Sequence, residues 1–207
     1  MSPESRQQQI VAVAKYLGSL IRKTNGKAFI IIDKRYFQYY MYDKNRRLLR
    51  IGPVTVGKGN TRFGKFETPV GIIPIKKKEE IADWIQPDWY FREKGLPIPT
   101  NYEDRRVRSF FRYKLVLEGT RYIHYRDQMG NRLTHGCLGL DFDDARAVFF
   151  TLEVGSYCIT VDDAFIRRLA RGEFPIKGAV TKKKRKKSPR RGTRAKVDKK
   201  EVFQSMW

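Results

Sequence analysis

The spacing of apolar positions along the chain changes period several times, and each change marks an element. In 9–21, Ile10, Val13, Ala14, Leu17 and Ile21 recur three and four positions apart, which predicts an amphipathic helix with one apolar face. Asn25-Gly26 stops it. From Ala28 the period shortens. Ala28-Phe29-Ile30-Ile31-Ile32-Asp33 is an apolar, largely β-branched run, and 36–42 is a second strand. Asp43-Lys44-Asn45 turns the chain, and 48–56 returns as a third strand. Strands this closely spaced predict antiparallel hairpins at the start of a β-rich domain.

A glycine loop follows, Gly57-Lys58-Gly59-Asn60-Thr61-Arg62-Phe63-Gly64. It lacks the Gly-Lys-Ser/Thr opening onto a helix that a phosphate-cradling loop requires. It leads instead into Glu67-Thr68-Pro69-Val70-Gly71 and a strand at 72–77. Residues 82–108, with Trp84, Pro87, Trp89, Tyr90, Pro97 and Pro99, read as a long irregular insertion, either a binding lid or a packed cover over the sheet. Strands at 113–117 and 121–125 flank Glu118-Gly119, which puts His124 at a strand end. Asp141 or Asp143 caps a helix that runs to Leu152 and is ended by Gly155. The last strand is 157–161, and 164–170 forms a short basic helix closed near Gly172. The expected fold class is mainly β with a few short helices.

Composition adds a size and a field. A chain of 207 residues with 41% hydrophobic content can bury one domain and carry tails. It holds 44 Lys+Arg against 22 Asp+Glu, a net +22. Of that, 177–207 carries 13 basic and 2 acidic residues, so half the excess sits in the last stretch and half in the remainder. The run Lys182-Lys183-Lys184-Arg185-Lys186-Lys187 has too few apolar neighbours to order itself, so 177–207 is expected to be a disordered basic tail. The apolar Val202-Phe203-Gln204-Ser205-Met206-Trp207 is out of character with it. A field of this sign favours polyanions: anionic cell-wall polymers, a membrane surface, and, as a weaker alternative, nucleic acid. No apolar run is long enough to span a bilayer, and the first nine residues lack the pattern of a secretory signal.

The candidate chemistry is concentrated. The chain has 2 His and 2 Cys, and three of these four residues fall between His124 and the run Thr134-His135-Gly136-Cys137. A free thiol ionises near about pH 8.5 and needs a neighbouring base or cation to act as a nucleophile. Cys137 with His124 and His135 nearby supplies that arrangement; the alternative is a small buried thiol beside ordinary hydrogen-bonded imidazoles. Cys158, in Tyr157-Cys158-Ile159-Thr160-Val161, reads as a core strand residue. A Cys137–Cys158 disulfide would silence the nucleophile, and nothing in the pattern demands it. His135 and Cys137 are too close for the usual ligand spacing and no second pair of ligands exists, so neither a metal nor another cofactor is expected.

In this order the features resemble the L,D-transpeptidase catalytic domain, or YkuD domain, over roughly 27–162. The opening hairpin, Val54-Thr55-Val56-Gly57-Lys58 followed by Thr68-Pro69-Val70-Gly71, and Ile123-His124 followed by Thr134-His135-Gly136-Cys137 carry the resemblance. It implies a β-sandwich or barrel-like fold in which a cysteine attacks the carbonyl after the L-centre of a diamino acid in a peptidoglycan stem peptide. Terminal D-alanine leaves, and an amine or water resolves the acyl-enzyme. Carried onto this chain, Cys137 is the nucleophile, His124 the base, and His135 shapes the pocket. The amides of Gly136 and Cys137 are oxyanion donors, and Tyr125, Thr134, Trp84 and Trp89 are substrate-binding. The resemblance also implies the cell envelope or periplasm as location. An L,D-carboxypeptidase of the same mechanism and a non-catalytic wall-binding module are the alternatives.

The organisation expected is an N-terminal helix (1–26), the catalytic domain (27–162) with its insertion (82–108), a short helix (163–176) and the tail (177–207). Three positions depart from the family pattern. Gly139 stands where arginine or asparagine is usual, His124 lies only 10 positions before Thr134, and Tyr125 replaces the usual glycine or serine. The first removes an expected substrate-positioning side chain.

Overall fold

The computed structural model describes residues 4, 5, 8, 10–14, 26–117, 119 and 121–171. The expectations for 15–25, for the closure near Gly172 and for the 177–207 tail lie outside the described residues.

The strands are β1 (Phe29–Asp33), β2 (Gln38–Tyr42), β3 (Leu48–Pro53), β4 (Val56–Gly57), β5 (Gly59–Thr61), β6 (Gly64–Phe66), β7 (Gly71–Pro74), β8 (Lys77–Ile85), β9 (Arg106–Val116), β10 (Tyr122–Tyr125), β11 (Arg132–Thr134), β12 (Leu138–Leu140) and β13 (Tyr157–Val161). The helices are α1 (Asp88–Lys94), α2 (Phe142–Thr151) and α3 (Asp163–Ala170). The fold is mainly β, as the sequence predicts. A five-stranded sheet runs β3-β2-β1-β13-β7, and a four-stranded sheet runs β12-β10-β9-β8. The opening hairpins are antiparallel, while β13 joins β1 in parallel, with Ile30 opposite Cys158 and Ile32 opposite Thr160.

Alternation along β1 explains why all five of its residues are buried. Ile30 and Ile32 face the second sheet, joining Tyr39, Met41, Leu115, Ile123, Leu138 and Leu140. Phe29 and Ile31 face the other way, against Ile10, Val13 and Ala14 of the helical residues 10–14 and against Phe165 of α3. A sheet covered on both faces reads as a continuous apolar run rather than an alternating one. Cys158 is fully buried on β13, and both cysteines are free thiols.

Three boundaries differ from the sequence reading. The strand expected at 48–56 ends at Pro53; Val54 and Thr55 leave the first sheet, and β4 pairs with β11. The strand expected at 72–77 is two pieces. Ile75 N–H still donates to Ser156 of the first sheet's side at 2.8 Å, whereas Lys76 N–H donates to Val116 of the second at 2.8 Å. The chain therefore changes sheets between adjacent residues. Most of all, 82–108 is not irregular. It is the outer half of a long β8–β9 hairpin, with α1 and a short 3-10 turn (Glu103–Arg105) at its tip. Asp141, not Asp143, caps α2, its carboxylate accepting from Asp144 N at 2.8 Å.

Candidate active site

The floor of the site is one face of the four-stranded sheet. β10 and β12 are parallel, with His124 opposite Gly139 and Ile123 opposite Leu138. Directly opposed residues share a face and side chains alternate along a strand. Tyr122, His124 and Arg126 therefore project on the same side as Cys137, and all four line one cleft of about 920 Å³. Ile123, Leu138 and Leu140 project on the other side, into the core.

That alternation separates the predicted site residues. Cys137 and His124 come together in the cleft, joined there by His135, Thr134, Trp84 and Trp89. Tyr125 does not: it lies on the core face, its ring edge-on to Phe142 at 5.4 Å and its hydroxyl bonded to Asp127. The expectation that Tyr125 binds substrate through its side chain is corrected accordingly. What Tyr125 contributes is its backbone carbonyl, 2.7 Å from His124 Nδ1. Any residue type supplies a carbonyl, so the departure from glycine or serine leaves this contact intact.

The Thr134-His135-Gly136-Cys137 turn is held by its own first residue. Thr134 Oγ1 donates to the Cys137 carbonyl at 2.6 Å and accepts from Gly136 N–H at 3.2 Å. Thr134 is 2% exposed, so it shapes the turn more than it meets a ligand. The Gly136 amide, expected as an oxyanion donor, is engaged by Thr134 in this state, a correction to the donor pair. Gly136 sits at φ +106, which favours glycine.

Behind the turn stand the two other motif segments. Gly57 passes so close that a Cβ there would lie 2.0 Å from the Phe66 carbonyl and 3.0 Å from Gly136 Cα. Thr68 bridges them: its Oγ1 accepts from Gly57 N–H at 2.8 Å and donates to the Gly136 carbonyl at 3.2 Å. The buried Lys34 in turn holds the Thr68 carbonyl at 2.7 Å.

The electrostatics favour a neutral resting pair. Burial pushes the Cys137 thiol up to about 11, against the lowering pull of a backbone hydrogen bond at Tyr122 and of Arg121, Lys114 and Arg126. Burial also lowers the His124 imidazole to about 4; the Tyr125 carbonyl opposes this, and the charges of Arg126 and Lys114 add to it. His124 is wedged edge-on against Phe111 at 4.8 Å. With Nδ1–H directed at Tyr125, Nε2 carries the free lone pair.

His135 performs a different task. Its Nε2 meets Glu93 Oε2 at 2.6 Å, and its ring lies on Trp89 with centroids 3.8 Å apart. Lys58 pairs with the same Glu93. Burial lowers the His135 imidazole, with the Glu93 hydrogen bond working against it. His135 thereby fastens α1 to the 134–137 turn. Trp84 packs on Phe110 at 4.6 Å and edge-on to Tyr90 at 5.1 Å along the cleft wall.

Sequence reasoning missed Arg126, Lys114 and Glu93. Arg126 had a signal, since it follows Tyr122 and His124 at strand period; Glu93, inside a segment read as irregular, had none.

The family model described as the L,D-transpeptidase catalytic domain, YkuD, matches residues 27–162. No curated protein matches the chain. Among solved structures, an L,D-transpeptidase from Mycobacterium smegmatis is similar with a TM-score of 0.50 at 20% identity, over 66% of this chain and 59% of that one. L,D-transpeptidase 1 of Mycobacterium tuberculosis is similar with a TM-score of 0.48 at 20% identity, over 66% of this chain and 62% of that one. The chain thus spans about three-fifths of these neighbours' length.

Proposed function

Because the chain belongs to the L,D-transpeptidase catalytic domain family, we propose that it is a cysteine L,D-transpeptidase acting on peptidoglycan stem tetrapeptides, with the cell envelope as its place of work. The observation that carries the reading is the placement of Cys137 and His124 on one sheet face, lining one cleft.

With the thiol raised to about 11 and the imidazole lowered to about 4, the resting pair is thiol and neutral imidazole. The proton therefore leaves sulfur as sulfur attacks, rather than beforehand. Cys137 Sγ bonds to the carbonyl carbon after the L-centre while His124 Nε2 takes the thiol proton. The imidazolium then gives that proton to the amide nitrogen of D-alanine as the C–N bond breaks, leaving a thioester. An acceptor amine attacks the thioester and loses a proton to His124, which returns it to the departing sulfur. Water in place of the amine gives the L,D-carboxypeptidase outcome. The Tyr125 carbonyl holds the imidazole in the tautomer this sequence uses.

The test is mass spectrometry of disaccharide-tetrapeptide incubated with the protein and with Cys137→Ala. A cross-linked dimer lacking one D-alanine, absent with the variant, is the expected product. Tripeptide alone would assign the carboxypeptidase reaction. Substrate unchanged by the wild-type protein would refute the enzyme reading in favour of a wall-binding module.

A further inference from the structure

Resting on the stem-peptide reading above, we infer that Arg126 binds the donor stem's carboxylate, taking over from β10 the place that Gly139 leaves empty on β12. Gly139 lies opposite His124. A Cβ built on it would stand 2.8 Å from Arg126 Cδ and 3.0 Å from Arg126 Cβ. The Arg126 side chain thus crosses directly over Gly139 and fills the volume a side chain there would need. Gly139 is not among the positive-φ glycines, so its backbone does not call for glycine. The arginine above it does.

The charges around Arg126 say what it is for. Each acidic group along the cleft is already paired: Asp83 with Arg106, Asp88 with Arg105, Glu93 with Lys58 and His135. Lys114, a second cation on the cleft floor, is paired with Glu79 at 3.0 Å. Arg126 is different. Its Nε is buried with no hydrogen-bond partner, and its guanidinium meets no carboxylate among the described residues. Arg121, whose Nε lies 3.7 Å from where a Gly136 Cβ would stand, has the same unmet Nε donor. A buried donor left unpaired costs stability unless a ligand completes it, and a planar guanidinium is completed best by a carboxylate.

The geometry favours one carboxylate of the stem. Arg126 is two residues beyond His124 on the same strand face, about 6.6 Å along the strand. In the proposed reaction His124 protonates the departing amine of D-alanine, and that residue's own carboxylate is a single carbon away. Arg126 holding this carboxylate sets the scissile amide between Cys137 and His124. A carboxylate on the diamino acid offers the same chemistry from the opposite side of the scissile bond.

The experiment compares kcat/KM for three donor tetrapeptides: free acid, C-terminal amide, and amide on the diamino acid. Wild type, Arg126→Gln and Arg126→Lys are each measured, with thermal unfolding as the check on folding. Wild type should prefer the free acid over the C-terminal amide by roughly tenfold to hundredfold, the worth of a charge-assisted pair. Arg126→Gln should lose that preference, and Arg126→Lys should keep part of it. Loss confined to the diamino-acid amide supports the carboxylate role and moves its source. An unchanged preference for both amides overturns the inference.

A second readout does not depend on turnover: the rate of Cys137 alkylation by anionic iodoacetate relative to neutral iodoacetamide at low ionic strength. Arg126→Gln should lower that ratio several-fold. If no stem peptide reacts, the proposed function fails while this ratio still decides whether Arg126 draws carboxylates to the thiol. A ratio equal to wild type overturns the inference on its own.

Discussion

His124 shows how one buried side chain couples chemistry to stability. It is 6% exposed and its imidazole is lowered to about 4, mainly by burial. In the unfolded chain it titrates near about 6.5. Between those values the unfolded state binds a proton that the folded state refuses, so His124's contribution to stability is full above about 6.5 and is lost as pH falls to about 4. The loss amounts to roughly 3 kcal/mol. Urea unfolding at pH 7 and pH 4 should show carboxylate effects common to wild type and His124→Gln, with the variant less acid-sensitive by that amount. Equal acid sensitivity would remove His124 from the account. At this scale the meeting of Cys137 and His124 in one cleft was legible, because two histidines and two cysteines leave few ways to build such a pair. Tyr125 was misread because its role depends on strand phase: one residue from His124 is the opposite face. Arg126 was missed because its meaning lies in Gly139, a neighbour across the sheet that the sequence places 13 residues away.

At the level of elements, the segment 82–108 separates what a pattern shows from what it hides. Prolines and aromatics made it read as irregular, yet 106–116 alternates Arg106, Arg108, Phe110, Arg112 and Lys114 with Val107, Ser109, Phe111, Tyr113 and Leu115. Positive φ at Ser109 and Tyr113 and a register shift opposite Ala82–Trp84 bend the hairpin, which breaks the alternation as burial. The outcome is a wall whose tip helix, α1, is tied to the 134–137 turn through Glu93, shared by His135 and Lys58. These ties are partly exposed, so they govern local opening more than global stability. Glu93→Gln should raise amide hydrogen exchange in 88–94 and 134–137 together, about threefold to fivefold, while shifting unfolding free energy by no more than about 1 kcal/mol. It should also lower the His135 pKa further, since the Glu93 contact favours the charged imidazole; NMR titration reads this directly. Unchanged exchange in α1 would mean that Trp89 stacking alone holds the wall.

Across the whole molecule, the site exists where the two sheets are sutured. Val54, Thr55 and β4 leave the first sheet and reach the second side, where Thr55 and Gly139 exchange two backbone hydrogen bonds of 2.9 Å. Thr68, 2% exposed, completes the suture by joining Gly57 N–H and the Gly136 carbonyl through one hydroxyl. The order of the motif segments was legible in the chain, but their convergence was not, since a hydroxyl bridging two backbones leaves no periodic trace. Replacing that hydroxyl by a methyl keeps the volume and strands a buried N–H and a buried carbonyl. Thr68→Val should therefore cost roughly 2–4 kcal/mol in urea unfolding and slow Cys137 acylation beyond what the lost stability explains, because Gly136 and the thiol move with the carbonyl. Thr68→Ser, which keeps the hydroxyl, should recover most of both. If Thr68→Val instead unfolds earlier but acylates at the wild-type rate below its transition, the suture serves the fold alone and the catalytic turn is positioned by Thr134 and the β10–β12 pairing.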